Sequence, residues 1–232
     1  MSEVYEMKVI ARIHNDFPTK FGIPHQSNRL EALKATIVFE PEYRVAEALH
    51  GLEEYSYIWL IWQFSTVAAE YAAGKSWRPT VRPPRLGGNT RMGVFATRSP
   101  FRPNSIALSC VKLAGIEETA EHSTVLRILG ADLMDGTPIL DIKPYIPYAD
   151  SHPEALGGFA AVPAGETLEV VIPPELLEKV PENRREGLIQ VVRNSGKCFP
   201  CAACPSGILP QAPGRKPARS SQSARHRRPA CR

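Results

Sequence analysis

The segment Arg78–Ser109, RPTVRPPRLGGNTRMGVFATRSPFRPNSIALS, decides how this chain is read. Proline fixes φ and makes the residue before it extended, so Arg78–Pro84 cannot be helix. Gly87-Gly88-Asn89 signals a turn. Met92, Val94 and Ala96 then alternate with Arg91, Gly93, Phe95 and Thr97, the period of a strand's two faces. Ser99–Asn104 turns the chain back, and Ile106–Leu113 resumes as a strand. Along this proline-stiffened backbone recur Arg78, Arg82, Arg85, Arg91, Arg98 and Arg102. A guanidinium presents paired donors that suit carboxylate or phosphate, and stiff loops carry sites. One arginine here reads as a solvated surface charge. The whole set reads as an anion site, with Arg98, Arg102 and the Asn104 amide directed to a common point.

Outward from that segment, short alternating runs predict further strands at Met7–His14, Leu33–Phe39, Ser56–Phe64, Thr124–Ala131 and Ile139–Ile142. Pro41 is placed to open a short helix, Glu42–Leu49, with Gly51 near its end, and the alanines of Ser65–Gly74 favour a helical turn. Many short strands with long connections predict a mainly β fold, a small antiparallel barrel rather than a βαβ array. No G-x-G-x-x-G follows a predicted strand, which argues against a Rossmann-type nucleotide site.

With 232 residues, 43% of them hydrophobic, the chain can bury a real core. The N-terminus lacks a basic region followed by an apolar run, so no secretory signal is expected. The most apolar window, Tyr57–Phe64, is far shorter than the roughly 20 residues that span a bilayer. A cytoplasmic, soluble body is the expectation. The formal charge of +4 is misleading about that body, because no acid follows Glu186 while nine Lys and Arg do, leaving residues 1–186 at −5. Attraction to nucleic acid must therefore come from local clustering and not from the total.

Beyond Asp150, Ala155–Gly165 reads as loop, Glu166–Ile172 as a strand, and Pro173–Val180 and Glu182–Val192 as helices separated by Pro181. From about Asn194 the text turns rich in Pro, Arg, Ser and Ala, which predicts disorder because it offers little apolar surface to bury. A change of coding frame in a GC-rich gene would give the same composition. Cys198, Cys201 and Cys204 share the first spacings of a ferredoxin run, but Ile208 stands where its fourth cysteine belongs. Incidental thiols of a reducing compartment are the plainer reading, and no metal site is assigned.

The blocks GVFATRSPFRPNSIALS, WRPTVRPPRLGGN before it and DLMDGTPILDIKPYIPYAD after it closely resemble the TsaA-like (TrmO) family. The resemblance implies a small β-barrel domain over 5–150, followed by a partial C-terminal extension of strand plus helices over 151–193; over 194–232 the chain departs from the family, with a basic, Cys-containing tail where the family's C-terminal subdomain is expected. It also implies an S-adenosylmethionine-dependent tRNA methyltransferase that modifies the exocyclic N6 of threonylcarbamoyladenosine beside the anticodon, acting as a homodimer. The alternatives from other classes are a non-enzymatic barrel that binds S-adenosylmethionine or RNA, and an iron–sulfur protein.

By the same resemblance the cofactor positions are Gln26, Ser27, Asn28, Ser65, Thr66, Arg98, Leu108, Leu129, Gly130, Ala131 and Asp132. Arg98 would take the cofactor carboxylate, and Leu108 would act through its backbone. Ser65 and Thr66 stand where many members have histidine and glutamine, and Ser105 and Ala107 replace a proline and a glycine. For RNA, Trp77 and Phe101 are stacking candidates, with Arg82, Arg85, Arg91, Arg102 and Asn104 toward the backbone. Methyl transfer from a sulfonium asks chiefly for in-line positioning, while an acylated adenine nitrogen has a proton to lose. Asp135, Lys143 and Tyr145 are the catalytic candidates, although Asp135 before Gly136 reads more plainly as a turn former.

Overall fold

In the computed structural model, residues 3–161 and 171–194 are described. Six strands form one antiparallel sheet in the order β1-β2-β7-β6-β3-β8: β1 (Ala11–His14), β2 (Lys34–Phe39), β3 (Tyr57–Gln63), β6 (Ile106–Thr119), β7 (Ser123–Leu129) and β8 (Pro138–Pro144). β8 pairs back onto β1 through Ala11 and Arg12, which closes the sheet into a barrel. A two-stranded ribbon, β4 (Thr80–Val81) with β5 (Met92–Gly93), lies within the connection from β3 to β6.

Alternation explains why these stretches are strands. Ile58, Leu60 and Trp62 of β3 point inward beside Ile13, Ile37, Val111, Leu126, Ile128 and Ile139, all buried. Each such side chain contributes about 1.5–3 kcal/mol on burial, which fixes register because a one-residue slip would expose the set. Tyr57, Trp59 and Ile61 take the opposite phase and are half-buried on the outer face.

Several expectations change. The first strand covers only Ala11–His14, because β2 stops before Pro41 and leaves Met7–Val9 without a partner strand. The predicted helix Glu42–Leu49 is instead two 3₁₀ turns, Pro41–Tyr43 and Ala46–Leu49. Arg44 Nε donates to the Phe39 carbonyl at 2.9 Å and Val45 is extended, so the turns cannot merge. The strand expected through Met92, Val94 and Ala96 breaks after Gly93 into a 3₁₀ turn, Val94–Ala96, with the Val94 N–H donating to the Pro79 carbonyl at 3.0 Å. Strand β6 extends to Thr119, well past the expected end.

Helix α1 (Ser65–Ala72) follows β3, the short α2 (Pro147–Asp150) follows β8, and α3 (Pro174–Leu177) and α4 (Glu182–Asn194) come last. Pro181 separates the last two as expected, and Arg184 of α4 pairs with Asp16 at 3.2 Å. Of the strand expected over Glu166–Ile172, residues 166–170 lie outside the described residues, and Val171 and Ile172 are not strand. The loop expected over Ala155–Gly165 is described to Ala161, and the tail from 195 on lies outside.

Candidate functional site

A register offset creates the site. β6 pairs with β3 over Ile106–Lys112 but with β7 only from Lys112 onward, because β7 ends at Leu129. The edge of β6 from Ile106 to Val111 thus has β3 on one side and no described strand on the other. Into that place come the loop Gln26-Ser27-Asn28 and the segment Leu129–Asp132.

The two segments hold each other. Asn28 N–H donates to the Gly130 carbonyl at 2.9 Å, and Gly130 N–H donates to the Leu33 carbonyl at 2.9 Å. Gly130 sits at φ 72°, and a Cβ there would lie 3.2 Å from Asn28 Cα, so any other residue would be strained and would press on the Asn28 main chain. Asn28 is itself left-handed at φ 57°, a conformation asparagine tolerates well.

Asp132 is the chemical centre of this pair. Its Oδ1 accepts from Ser109 Oγ at 2.6 Å, and Ser109 Oγ accepts from Trp62 Nε1 at 2.9 Å. An indole N–H only donates, so the Ser109 hydroxyl must accept there and spend its own hydrogen on Asp132. Burial raises the Asp132 carboxyl above the ordinary carboxylate range, while the Ser109 hydroxyl, its own and the Ser27 backbone N–H, and the Arg98 charge all favour ionisation. Arg98 Nη1 in turn donates to Gln26 Oε1. Gln26, Ser27, Arg98, Ser109 and Asp132 form one connected set.

The other cofactor candidates surround it. Leu108 points outward opposite Ile61 and is 53% exposed, while Ala131 and Gly130 are buried. Ser65 and Thr66 open α1 where Phe64 N–H donates to the Ser105 carbonyl at 2.9 Å, Ser105 being buried at φ 45°. Trp62 and Ser109 were missed in the sequence. The available signal was a tryptophan in the buried phase of β3, whose N–H needs an inward acceptor.

Beside this set lies an open groove lined by Asn28, Trp59, Cys110, Tyr145, Asp150 and His152, with Tyr57 along the same wall. Trp59 Nε1 and the Ile146 N–H donate to Asp150 Oδ2 at 3.0 and 2.8 Å, which holds that carboxyl below its usual range. Tyr145 packs against Trp59 and Tyr57, with ring centroids 5.8 and 6.3 Å away. Burial raises the Cys110 thiol, with the Asn28 side chain acting the other way, and Asn28, which lines this groove, also bonds Gly130 on the Asp132 side. Lys143 stands opposite Trp59 and pairs with Asp141 at 3.1 Å.

Other candidates are not brought together. Asp135 has the contacts of a turn former: its Oδ1 accepts from Asn15 N–H at 3.0 Å and lies 3.4 Å from His14 Nδ1, and its own N–H donates to the Phe17 carbonyl. Arg102 does not join Arg98. Its Nη1 donates to the Thr97 and Val94 carbonyls at 2.7 and 3.2 Å, because the broken strand leaves those carbonyls without a ladder. Phe101 carries the Arg78 guanidinium 4.2 Å over its ring. Trp77, Arg82, Arg85, Arg91 and Asn104 are exposed. Among the described residues no three His, Cys, Asp or Glu are grouped to hold a metal ion, and no helix is long and apolar enough to cross a membrane.

Residues 12–151 match the family model described as the tRNA-methyltransferase O N-terminal domain. The chain is 42% identical over 165 residues to the tRNA (adenine(37)-N6)-methyltransferase of Escherichia coli (strain K12), a match covering 70% of this chain and 67% of that protein. It is 57% identical over 109 residues to the protein of the same name from Eikenella corrodens, covering 47% of this chain and 58% of that one. Among solved structures it is similar to TrmO from Pseudomonas aeruginosa, with a TM-score of 0.66 and 30% identity over 89% of this chain and 88% of that one.

Proposed function

Since the chain belongs to the tRNA-methyltransferase O family, we propose that it methylates N6 of the adenine at position 37 of tRNA, with S-adenosylmethionine as the methyl donor. The observation that carries this reading is the match over 12–151, which contains the closed sheet but for Ala11, together with both segments of the Asp132 site. The relatives' names supply the reaction, and the threonylcarbamoyl form of the base rests on the sequence resemblance.

The residues present fit the cofactor. Its carboxylate requires a cation, and Arg98 makes no ion pair among the described residues, its charge acting on Asp132 and its Nη1 bonded to Gln26. Its ammonium and hydroxyl groups require acceptors, and Asp132 is held as an acceptor by the hydroxyl directed at it from Ser109. Asp132 also balances Arg98, so a sulfonium entering here does not meet an unopposed cation. Bound there, S-adenosylmethionine supplies a methyl group on a leaving group already activated by its positive charge.

The chain's task is then positioning. Holding both reactants in near-attack geometry lowers such barriers by roughly 7–11 kcal/mol in favourable cases. The groove of Trp59, Tyr57 and Tyr145 adjoins the Asp132 set through Asn28 and offers aromatic faces to an unpaired adenine. Tyr145, in that groove, and Lys143, opposite Trp59 on the neighbouring strand, remain the catalytic candidates, whereas Asp135 is better understood as the turn former described above. A homodimer with the exposed Leu108 face at its contact, and a cytoplasmic location beside its tRNA, complete the reading.

Transfer of labelled methyl from S-adenosylmethionine to tRNA from cells lacking this gene tests it. Wild type should label adenine 37, and Arg98→Ala should lose at least about tenfold in cofactor affinity, the loss of one charge-assisted contact. Saturable cofactor binding with no label in tRNA would instead support a non-enzymatic barrel. Light scattering in solution checks the dimer.

A further inference from the structure

Where the expected strand breaks, a side chain changes sides. Val94 is buried and plugs inward, and the 3₁₀ turn that follows throws Phe95 out to 70% exposure. There it lies nearly parallel to Trp77, with ring centroids 6.2 Å apart and 28° between planes; Trp77 is 42% exposed. Arg102 approaches the Phe95 ring at 5.5 Å while two carbonyls fix its guanidinium. The backbone beneath is tied down as well: Thr97 Oγ1 donates to the Val94 carbonyl at 2.8 Å, and Ser99 N–H donates to Thr97 Oγ1 at 3.2 Å. Two large rings are thus held in water on a rigid support.

Their surroundings say what fits them. Between Tyr71 and Ile116 the sequence has no acid. Arg82, Arg85 and Arg91, in or beside the same ribbon, are exposed and make no ion pair among the described residues. Exposed π faces within a field of unpaired cations suit unpaired nucleobases and their phosphates, since every base has a face to stack and every linkage a negative charge. Of the two rings the sequence suggested, Trp77 is in this pair, while Phe101 has its face taken by Arg78.

We propose that Phe95 and Trp77 form a stacking platform for an unpaired base of the RNA substrate, with Arg82, Arg85 and Arg91 on the adjoining phosphates. This rests on the tRNA reading above and adds to it which rings hold the RNA.

The test measures binding of two probes across a salt series: a tRNA anticodon stem-loop, and a fully paired RNA duplex with the same number of phosphates. Phe95→Ala should weaken stem-loop binding by about 5- to 100-fold, the range of one base stack. It should leave duplex binding and cofactor affinity unchanged, and Phe95→Trp should restore the stem-loop. Arg85→Gln should weaken both probes and reduce the magnitude of the salt slope by about one, where Phe95→Ala leaves the slope as it was. Stem-loop affinity within twofold of wild type for Phe95→Ala overturns the platform alone. Failure of the wild type to bind the stem-loop more tightly than the duplex overturns the tRNA reading and the platform with it. Capture of anionic lipid vesicles that depends on Phe95, without such dependence for RNA, assigns the rings to a membrane surface and overturns the proposal.

Discussion

Asp132 shows how one carboxyl can be made both costly and useful. Burial disfavours its charge, and the Trp62–Ser109 chain, whose direction is fixed by a donor-only indole, works against that burial. Removing the Ser109 hydroxyl takes away a contact that lowers the carboxyl's pKa, so the pKa rises further and the acceptor is lost at a higher pH. Cofactor affinity in Ser109→Ala should therefore begin to fall at a higher pH than in wild type as pH is lowered from neutral into the carboxylate range. Trp62→Phe should move the profile the same way but less, because the hydroxyl remains and only its direction is freed. Isothermal titration at several pH values reads both, and parallel profiles for wild type and Ser109→Ala would show that Ser109 merely fills space. The Arg98 charge favours the ionised Asp132 in both proteins, so the comparison between them isolates the hydroxyl.

At the scale of elements, periodicity located the strands because their inward phases are nearly unbroken, as Ile58-Leu60-Trp62 shows. It failed between Met92 and Ala96, where the alternation is real but Val94 N–H bonds the Pro79 carbonyl and the ribbon ends at Gly93. No local pattern announces that partner. The two segments proposed for the cofactor were singled out by family resemblance, yet the reason they meet was not legible, since it is the offset that leaves Ile106–Val111 of β6 with β3 on one side and no described strand on the other. Arg102 was misread for a similar reason: a guanidinium that satisfies carbonyls of its own turn looks, in sequence, like one that awaits a ligand. The meeting of segments yields a prediction of its own. In Gly130→Ala the backbone at φ 72° costs about 1–2 kcal/mol, and the new Cβ meets Asn28 main chain, which cannot swing aside as a side chain would. Thermal unfolding should report that loss, and cofactor affinity should fall with it as Asn28 is pushed from its place. An unchanged affinity would mean that the 26–28 loop is not part of the cofactor site.

Across the whole molecule, charge is divided more sharply than composition suggests. Cys198–Arg232 holds seven Lys and Arg and no acid, so the remainder of the chain is net −3 out of a total of +4. The body nevertheless contains the acid-free run from Tyr71 to Ile116 with its eight Lys and Arg, a local field that a net count conceals. These two basic regions should act differently on RNA. The terminal stretch adds seven cations and, by sequence, only Phe199 as a large ring, so it should raise affinity for paired and unpaired RNA alike, whereas the ribbon adds rings beside its cations and should discriminate. Deleting Cys198–Arg232 is therefore expected to weaken binding to both the duplex and the stem-loop by similar factors and to flatten both salt slopes. The stem-loop to duplex preference, the cofactor affinity and the unfolding temperature of the closed sheet should stay where they were. If the preference disappears with the deletion, recognition belongs to the terminal stretch, and the ribbon's arginines contribute only to general attraction.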